Sequence, residues 1–503
     1  MSLSRSTMSA IRFGYGIRPG ETPPDGPEAL LAQLEAGRKA RLRFPVEGIE
    51  GRYETIAKIQ ERVAVARVPD RDQRRENLRP IRREIFHIYG RDQHARVAQA
   101  VLSPYGFYER LATFWTDHFA VSARKQRSAY LVTPLYEAEV IRPLMTESFA
   151  ELLIGAITHP AMLIYLDQTK SFGPNSRRAQ RSKRGLNENL GRELLELHTL
   201  GVDAGYSQAD VRDAALILTG LTVDNKTGRM DFRQQIAEPG PLSFMGRQYA
   251  GERRSLDDIK SLLTGLANHL KTVRHICRKL AVHFISDNPP PEIVDAMVSA
   301  WETSDGRLMD VYAAMLKHPA SWENFGEKAR QPFDYVVAGL RALDVQESAL
   351  AMPERHADGD EEMAEAAPPA PMMTEKKDGE DMAAEEAEEE REDKRRKIRL
   401  RPPLNPVSVR AIRALGQPVW EPASPAGAEE TFNAWVSTSQ LTGRIQWAQL
   451  VSSRFLDRHD PKDLLRTVLA DAAREDTITV VRQAPNRVTG MALVLASPEF
   501  NRR

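Results

Sequence analysis

The stretch NENLGRELLELHTLGVDAGYSQADV, residues 187–211, decides how the chain is read, because one helix, a turn and the start of a second helix follow each other in it. Asn187 is an N-cap residue type, Glu188 meets the positive end of the helix dipole, and Gly201 after Leu200 supplies a left-handed stop. The pattern predicts a helix from about Glu188 to Leu200. At about 100° per residue, Leu186, Leu190, Leu194 and Leu197 share the stripe that packs into a core. Ser207 and Asp210 form a capping box for the next helix, with Tyr206 and Val211 spaced as a hydrophobic staple.

Polar residues crowd the same helix. Asn189, Glu193 and Glu196 fall within roughly 60° of one another, with Arg192 at their edge. This line borders the leucine stripe rather than opposing it, so it is expected to line a partly buried groove. The competing reading is a solvated, salt-bridged face. His198 turns away from the line, which rules out a Glu-to-His ligand pair within the helix.

Outward from this stretch the helical period dominates. Phe107, Leu111, Phe114, Trp115 and His118 recur at helical spacing, which sets His118 on an apolar face, where a satisfied core histidine is the commoner role. The run MLIYL ends in a polar loop containing Asp167, Gln168, Ser171 and Asn175, which feeds the central helix. LTVDNKTGRMDF reads as a small hairpin turning near Asn225 and Gly228. Pro80 marks a break or a first-turn position, and the opening residues around Phe13 and Tyr15 read as a loop pinned by those rings.

The expected fold is mainly α: a large irregular multi-helix body with one small β-hairpin and a disordered charged insert. The main body spans 1–350 and the insert 351–403, where acidic then basic low-complexity sequence has little apolar surface to offset its ordering entropy. A C-terminal helical segment, 404–503, is expected to pack back on the body.

Composition bounds the function. The 503 residues hold 70 Lys plus Arg and 70 Asp plus Glu, so no global field attracts nucleic acid or an anionic membrane. The basic runs RRAQRSKR and KRRKIRLR lack interleaved aromatics, and nucleic-acid binding ranks low. One cysteine, Cys277, excludes an internal disulfide, and its helical alignment with Leu280, Ala281 and Phe284 reads as a buried, inert thiol. No apolar run approaches the roughly 18 residues of a membrane span, and no signal peptide is evident, so the chain reads as soluble and cytoplasmic.

At RFGYGIRPGE, FWTDHFAVS, HPAMLIYLDQTKSFGPNS, NENLGRELLELHTLGVDAGYSQADV, HICRKLAVHF, LGQPVWEPASPAG and LASPEFNRR, the chain resembles a bacterial family catalogued as domain of unknown function 1800. The resemblance runs nearly the whole chain apart from the insert and implies a mainly helical fold. It also implies a partner, because genes of that family commonly neighbour those of domain of unknown function 1501. That second family resembles sulfatases and alkaline phosphatases and often carries a twin-arginine export signal, so export together with such a partner is the alternative to a cytoplasmic location. This chain reads AEPGPLSFMG where many relatives read HEPGPK followed by Leu-Gly, so Ala237 and Leu242 replace a histidine and a lysine.

Two functions of different class follow. In the first, an enzyme or enzyme component, Glu193 and Glu196 act as paired carboxylates, either as acid and base or with His118 around a divalent metal. Asn189 and Arg192 would orient substrate, and Asn187, Asp167 and Asn175 would bind it. In the second, the protein is a non-catalytic helical escort of the sulfatase-like neighbour, and the polar line is internal hydrogen bonding. The enzyme ranks first.

Overall fold

The computed structural model describes residues 3–182, 184–251, 253–352 and 405–503. The chain is mainly helical, with two short antiparallel hairpins. From residue 353 on, the insert read at 351–403 lies outside the described residues, as does the basic run KRRKIRLR.

The central helix keeps its place and changes its winding. Asn189–Glu193 is α-helical, and Leu194–His198 widens into a π-turn. The N-cap is Glu188 rather than the expected Asn187, which stands one residue earlier with its Oδ1 accepting from Asn189 N–H at 2.9 Å. At the other end Gly201 adopts φ +91° and donates to Leu195 O at 3.0 Å. The π-turn adds residues to the turn, so the buried face becomes Leu190, Leu194, Leu195 and His198, while Leu197 is only half-buried. The expected leucine stripe is corrected by that one widened turn.

Close packing fixes the corner after it. A Cβ on Gly191 would stand 3.0 Å from Ala215, so the central helix and Gln208–Leu218 touch backbone to side chain. The capping box forms: Ser207 Oγ accepts from Asp210 N–H at 3.2 Å, and Ser207 N–H donates back to Asp210 Oδ2 at 2.7 Å.

The expected hairpin pairs Leu221–Val223 with Met230–Phe232, its turn held by Asp224 Oδ1, which accepts from Lys226 and Thr227 N–H. A second hairpin, Leu242–Phe244 with Arg247–Ala250, turns on Met245 and Gly246, both at positive φ. Pro80 breaks nothing: Arg71–Leu102 is one helix that passes through it, and Glu76, whose carbonyl loses its intrahelical donor there, is exposed to solvent. The opening loop contains a short helix, Arg5–Met8, and a π-turn, Ser9–Phe13. Phe13 and Tyr15 are buried there, as read.

The helix Gly106–His118 runs through the core. Phe107, Leu111, Phe114 and Trp115 are buried, Trp115 Nε1 donates to Tyr312 Oη at 2.7 Å, and Tyr312 donates to Met145 O at 2.8 Å. Leu270–Phe284 lies alongside, joined through Phe107, Phe114 and Phe284. Cys277 is fully buried in it, and burial pushes its thiol up.

The last hundred residues reach into this body. Tyr335 and Trp447 meet edge to face at 5.2 Å, and a Cβ on Gly339 would collide with the Trp447 ring. Trp420 joins a buried ion-pair hub. In it Arg142 binds Glu109 at 2.7 Å and Glu137 at 3.0 Å, Arg96 binds Glu137 at 2.9 Å, and Trp420 Nε1 donates to Glu137 at 2.7 Å. Among the described residues no helix is long and apolar enough to cross a membrane.

Candidate functional site

The polar line of the central helix is a half-exposed ion-pair ladder. Arg192 lies 3.4 Å from Glu196 and 3.6 Å from Glu188, and it donates to Gln208 Oε1 at 3.1 Å. Gln208 returns a bond to Glu188 at 2.8 Å, and Asn189 is exposed. Glu193 is half-buried; burial first and Glu196 second push its carboxyl up, against Arg192.

The residues expected to bind substrate hold the loop together. Asp167, at φ +58°, pairs with Lys125 at 2.7 Å and Lys170 at 2.8 Å, and these cations keep its carboxyl low although burial opposes them. Asn175 bonds Glu238 through its backbone N–H at 3.0 Å and through its side-chain amide at 2.5 Å. Asn187 exchanges backbone bonds with Ser171 Oγ. Ala237 is buried beside Glu238, and Leu242 opens the second hairpin.

His118 is not brought to Glu193 and Glu196. Its ring packs among Phe114, Trp115, Phe119 and His198, 5.9 Å from the His198 ring. Among the described residues no set of three or more His, Cys, Asp or Glu side chains is placed to hold a metal ion.

A second centre forms where Gly106–His118 ends, where one face of Leu270–Phe284 passes, and where the strap 427–432 crosses. Asp117 stands in the last turn of the first helix and accepts the Ala428 N–H through both oxygens, at 2.9 and 3.0 Å. His275, Lys279 and His283 recur every four residues along one side of their helix: His283 meets the strap, Lys279 acts on Asp117, and His275 lies against Gly201. His283 Nδ1 bonds Glu430 Oε1 at 2.6 Å, and its Nε2 lies 3.0 Å from Arg110 Nη2. Arg110 in turn pairs with Asp334. Lys328, on a separate segment, ties the strap down through Asp287 at 2.6 Å and through Glu430 O.

Asp117, Lys279 and Glu430 keep partial solvent access, whereas His118, His198 and His283 behind them are buried. The electrostatics are uneven. Burial, then the Glu430 charge, pushes the Asp117 carboxyl up to about 7. Burial opposes ionisation of Glu430 as well, but His283, Lys328 and Arg110 hold its carboxyl low. Lys279 is pushed down by burial, against the pull of Asp117 and Glu430. Burial also lowers the imidazoles, His198 to about 3 and His275 to about 4, with His118 well below its ordinary value.

Several buried polar atoms here lack a hydrogen-bond partner: both His118 nitrogens, Nε2 of His198 and His275, and Oε2 of Glu430. The Arg142 hub, by contrast, is fully paired. A groove of about 920 Å³ between the second hairpin and Leu256–Ala267, lined by Phe244, Tyr249, Lys260 and Thr264, involves neither centre.

Asp117, Lys279, His283 and Glu430 were not singled out from the sequence. The available signal was charge inside apolar runs, in FWTDHFAVS and HICRKLAVHF. Residues 9–502 match the family model described as Protein of unknown function (DUF1800). No curated protein and no solved structure matches the chain.

Proposed function

We propose that this chain, which belongs to the DUF1800 family over residues 9–502, is an enzyme or enzyme component working by acid–base chemistry through the paired carboxyls of Asp117 and Glu430. The observation that carries this reading is their unequal setting: both Asp117 oxygens accept one backbone N–H, that of Ala428, while Glu430, two residues further along the strap, is bound by His283 and Lys328. Asp117 keeps its proton near neutrality and is the acid; Glu430 stays ionised and is the base.

The supporting groups suit these roles. Arg110 Nη2 donates to His283 Nε2, so the imidazole proton sits on Nδ1 and is donated to Glu430 Oε1. Glu430 Oε2 is buried without a hydrogen bond, 3.8 Å from the Lys328 ammonium. The Ala428 N–H anchors Asp117 without neutralising it.

The pair Glu193 and Glu196 is the lesser candidate, because Arg192 compensates it at the surface. An escort of a sulfatase-like partner would need only a paired interior. Buried polar atoms left unpartnered cost stability; the His118, His198 and His275 nitrogens are among them, as are Tyr136 Oη and Ser452 Oγ elsewhere in the core.

Difference infrared titration of wild type and Asp117→Asn tests the reading. A carboxyl titrating near neutrality, present in wild type and absent from the folded variant, supports it. If no carboxyl titrates there, the acid role of Asp117 is excluded.

A further inference from the structure

Four buried arginines, Arg110, Arg330, Arg444 and Arg503, meet beside the start of the helix Pro332–Ala342. An isolated antiparallel bridge between Ala329 and Arg502 is flanked by two backbone bonds, Arg330 N–H to Asn501 O at 2.9 Å and Arg503 N–H to Lys328 O at 2.8 Å. Side chains alternate along paired backbone, so Arg330, Asn501 and Arg503 leave the bridge on one face, with Arg330 and Arg503 as diagonal neighbours about 7–8 Å apart. Asn501 Oδ1 accepts from Arg444 Nη1 at 3.0 Å, and Arg444 Nη2 donates to Arg330 O at 2.6 Å. Arg503 Nη1 lies 3.6 Å from Asp334 Oδ2, the oxygen that also takes Arg110.

Acceptors run short in this cluster. The Arg142 hub sets two carboxylates, Glu109 and Glu137, against two guanidiniums, Arg142 and Arg96. Here, among the described residues, Asp334 is the only carboxylate paired with any of the four arginines, and Arg330 and Arg444 are paired with none. Buried without a hydrogen-bond partner are Arg110 Nε, Arg330 Nη1, Arg444 Nε, and both Nε and Nη2 of Arg503. A guanidinium only donates and keeps its charge, so it cannot relieve its burial by losing a proton. The cover over Arg330 is thin: at Gly16, φ +82°, a Cβ would stand 3.4 Å from Nη2 and 3.7 Å from Nη1. Gly16 also walls a cleft of about 30 Å³, room for a water-sized group, so the loop over Arg330 borders an opening.

We propose that Arg110, Arg330, Arg444 and Arg503 bind a small oxyanion, phosphate or sulfate or the same group on a larger molecule, whose oxygens accept the unpartnered N–H groups. Its charge offsets the excess of buried cations, and its several oxygens suit donors that arrive from four side chains. Arg110 and Arg503 both approach His283 Nε2, at 3.0 and 3.4 Å, so the oxyanion site adjoins the imidazole that serves Glu430. The proposal goes beyond the acid–base reading and does not depend on Asp117 or Glu430.

The test uses the full chain, dialysed exhaustively into chloride buffer. Phosphate and sulfate released by acid denaturation are measured, and the unfolding midpoint is then followed against added sodium phosphate or sodium sulfate, with ionic strength held constant by sodium chloride. A resident inorganic anion should be released in stoichiometric amount. A site for the anionic group of an exchangeable molecule should release none and should raise the midpoint by roughly 2 °C or more at about 10 mM added anion. Either result should be lost in Arg330→Met and kept in Arg192→Ala, which alters only the exposed ladder. Wild-type protein that neither releases phosphate or sulfate nor is stabilised by them overturns the proposal, even if the Arg330 variant misfolds. An undiminished effect in folded Arg330→Met overturns it too. The infrared titration of Asp117 is indifferent to these results, so the acid–base reading stands or fails separately.

Discussion

Arg110 Nη2 lies 3.0 Å from His283 Nε2, and because a guanidinium can only donate, this contact makes Nε2 the acceptor and puts the imidazole proton on Nδ1, 2.6 Å from Glu430. The chain Asp334, Arg110, His283, Glu430 is thus polarised in one direction. Burial is the largest influence on His283 and lowers its affinity for a second proton. Nitrogen-15 NMR should therefore find His283 as the neutral Nδ1–H tautomer throughout about pH 7–8. An imidazolium signal growing in across that window would break the relay.

Asp117 sets the sign of one pH effect. Its carboxyl is held up at about 7, chiefly by burial, whereas in the unfolded chain it titrates near about 3.9. Between these values the native state binds the extra proton, so the stability from this group is fully present below about pH 4 and is lost as pH rises to about 7. The lowered His198 and His275 act oppositely, gaining stability as pH rises from about 3 or 4 toward about 6.5. Comparing wild type with Asp117→Asn cancels the histidines. Relative to the variant, wild type should lose on the order of 2 kcal/mol between about pH 5 and pH 8 in urea titrations. Parallel pH profiles for the two proteins would refute this.

Local features were legible and the centre was not. The Ser207–Asp210 box, the aromatic stripe of Gly106–His118 and the hairpin at Leu221–Phe232 depend on neighbours a few residues away. Asp117, Lys279 and Glu430 come from segments far apart in the chain, and periodicity shows which face a helix buries but not what it is buried against. His118 drew notice through its aromatic neighbours, while Asp117 beside it resembled an ordinary charge at a helix end. The π-turn at Leu194–His198 was hidden for a related reason: it sets His198 against His118 and Phe119, which come from a distant segment.

Gly427 separates backbone strain from contact. Its φ is +81°, and a Cβ there would stand 2.5 Å from Asp117 O and 2.7 Å from the carboxylate. Gly240 has a similar φ, +86°, with nothing within 4 Å. Gly240→Ala should cost about 1 kcal/mol from the left-handed backbone alone. Gly427→Ala should cost about 1–3 kcal/mol more, because the strap must lift off Asp117. It should also erase the near-neutral carboxyl titration. Equal costs at the two glycines would mean that the strap is loosely held.

The two ion-pair systems should respond oppositely to the same change. Arg192 is 38% exposed in side chain and its closest carboxylate is 3.4 Å away, so Arg192→Ala should shift unfolding free energy by less than about 1 kcal/mol, and the shift should vanish in high salt. Arg142 is 4% exposed and neutralises both Glu109 and Glu137. Arg142→Ala strands two buried carboxylates near Arg96 alone, a loss of about 3–5 kcal/mol that salt should not screen. Urea unfolding of both variants at low and high salt makes the comparison. A large, salt-resistant loss at Arg192 would instead mark the central helix as the true polar centre and return the catalytic question to Glu193 and Glu196.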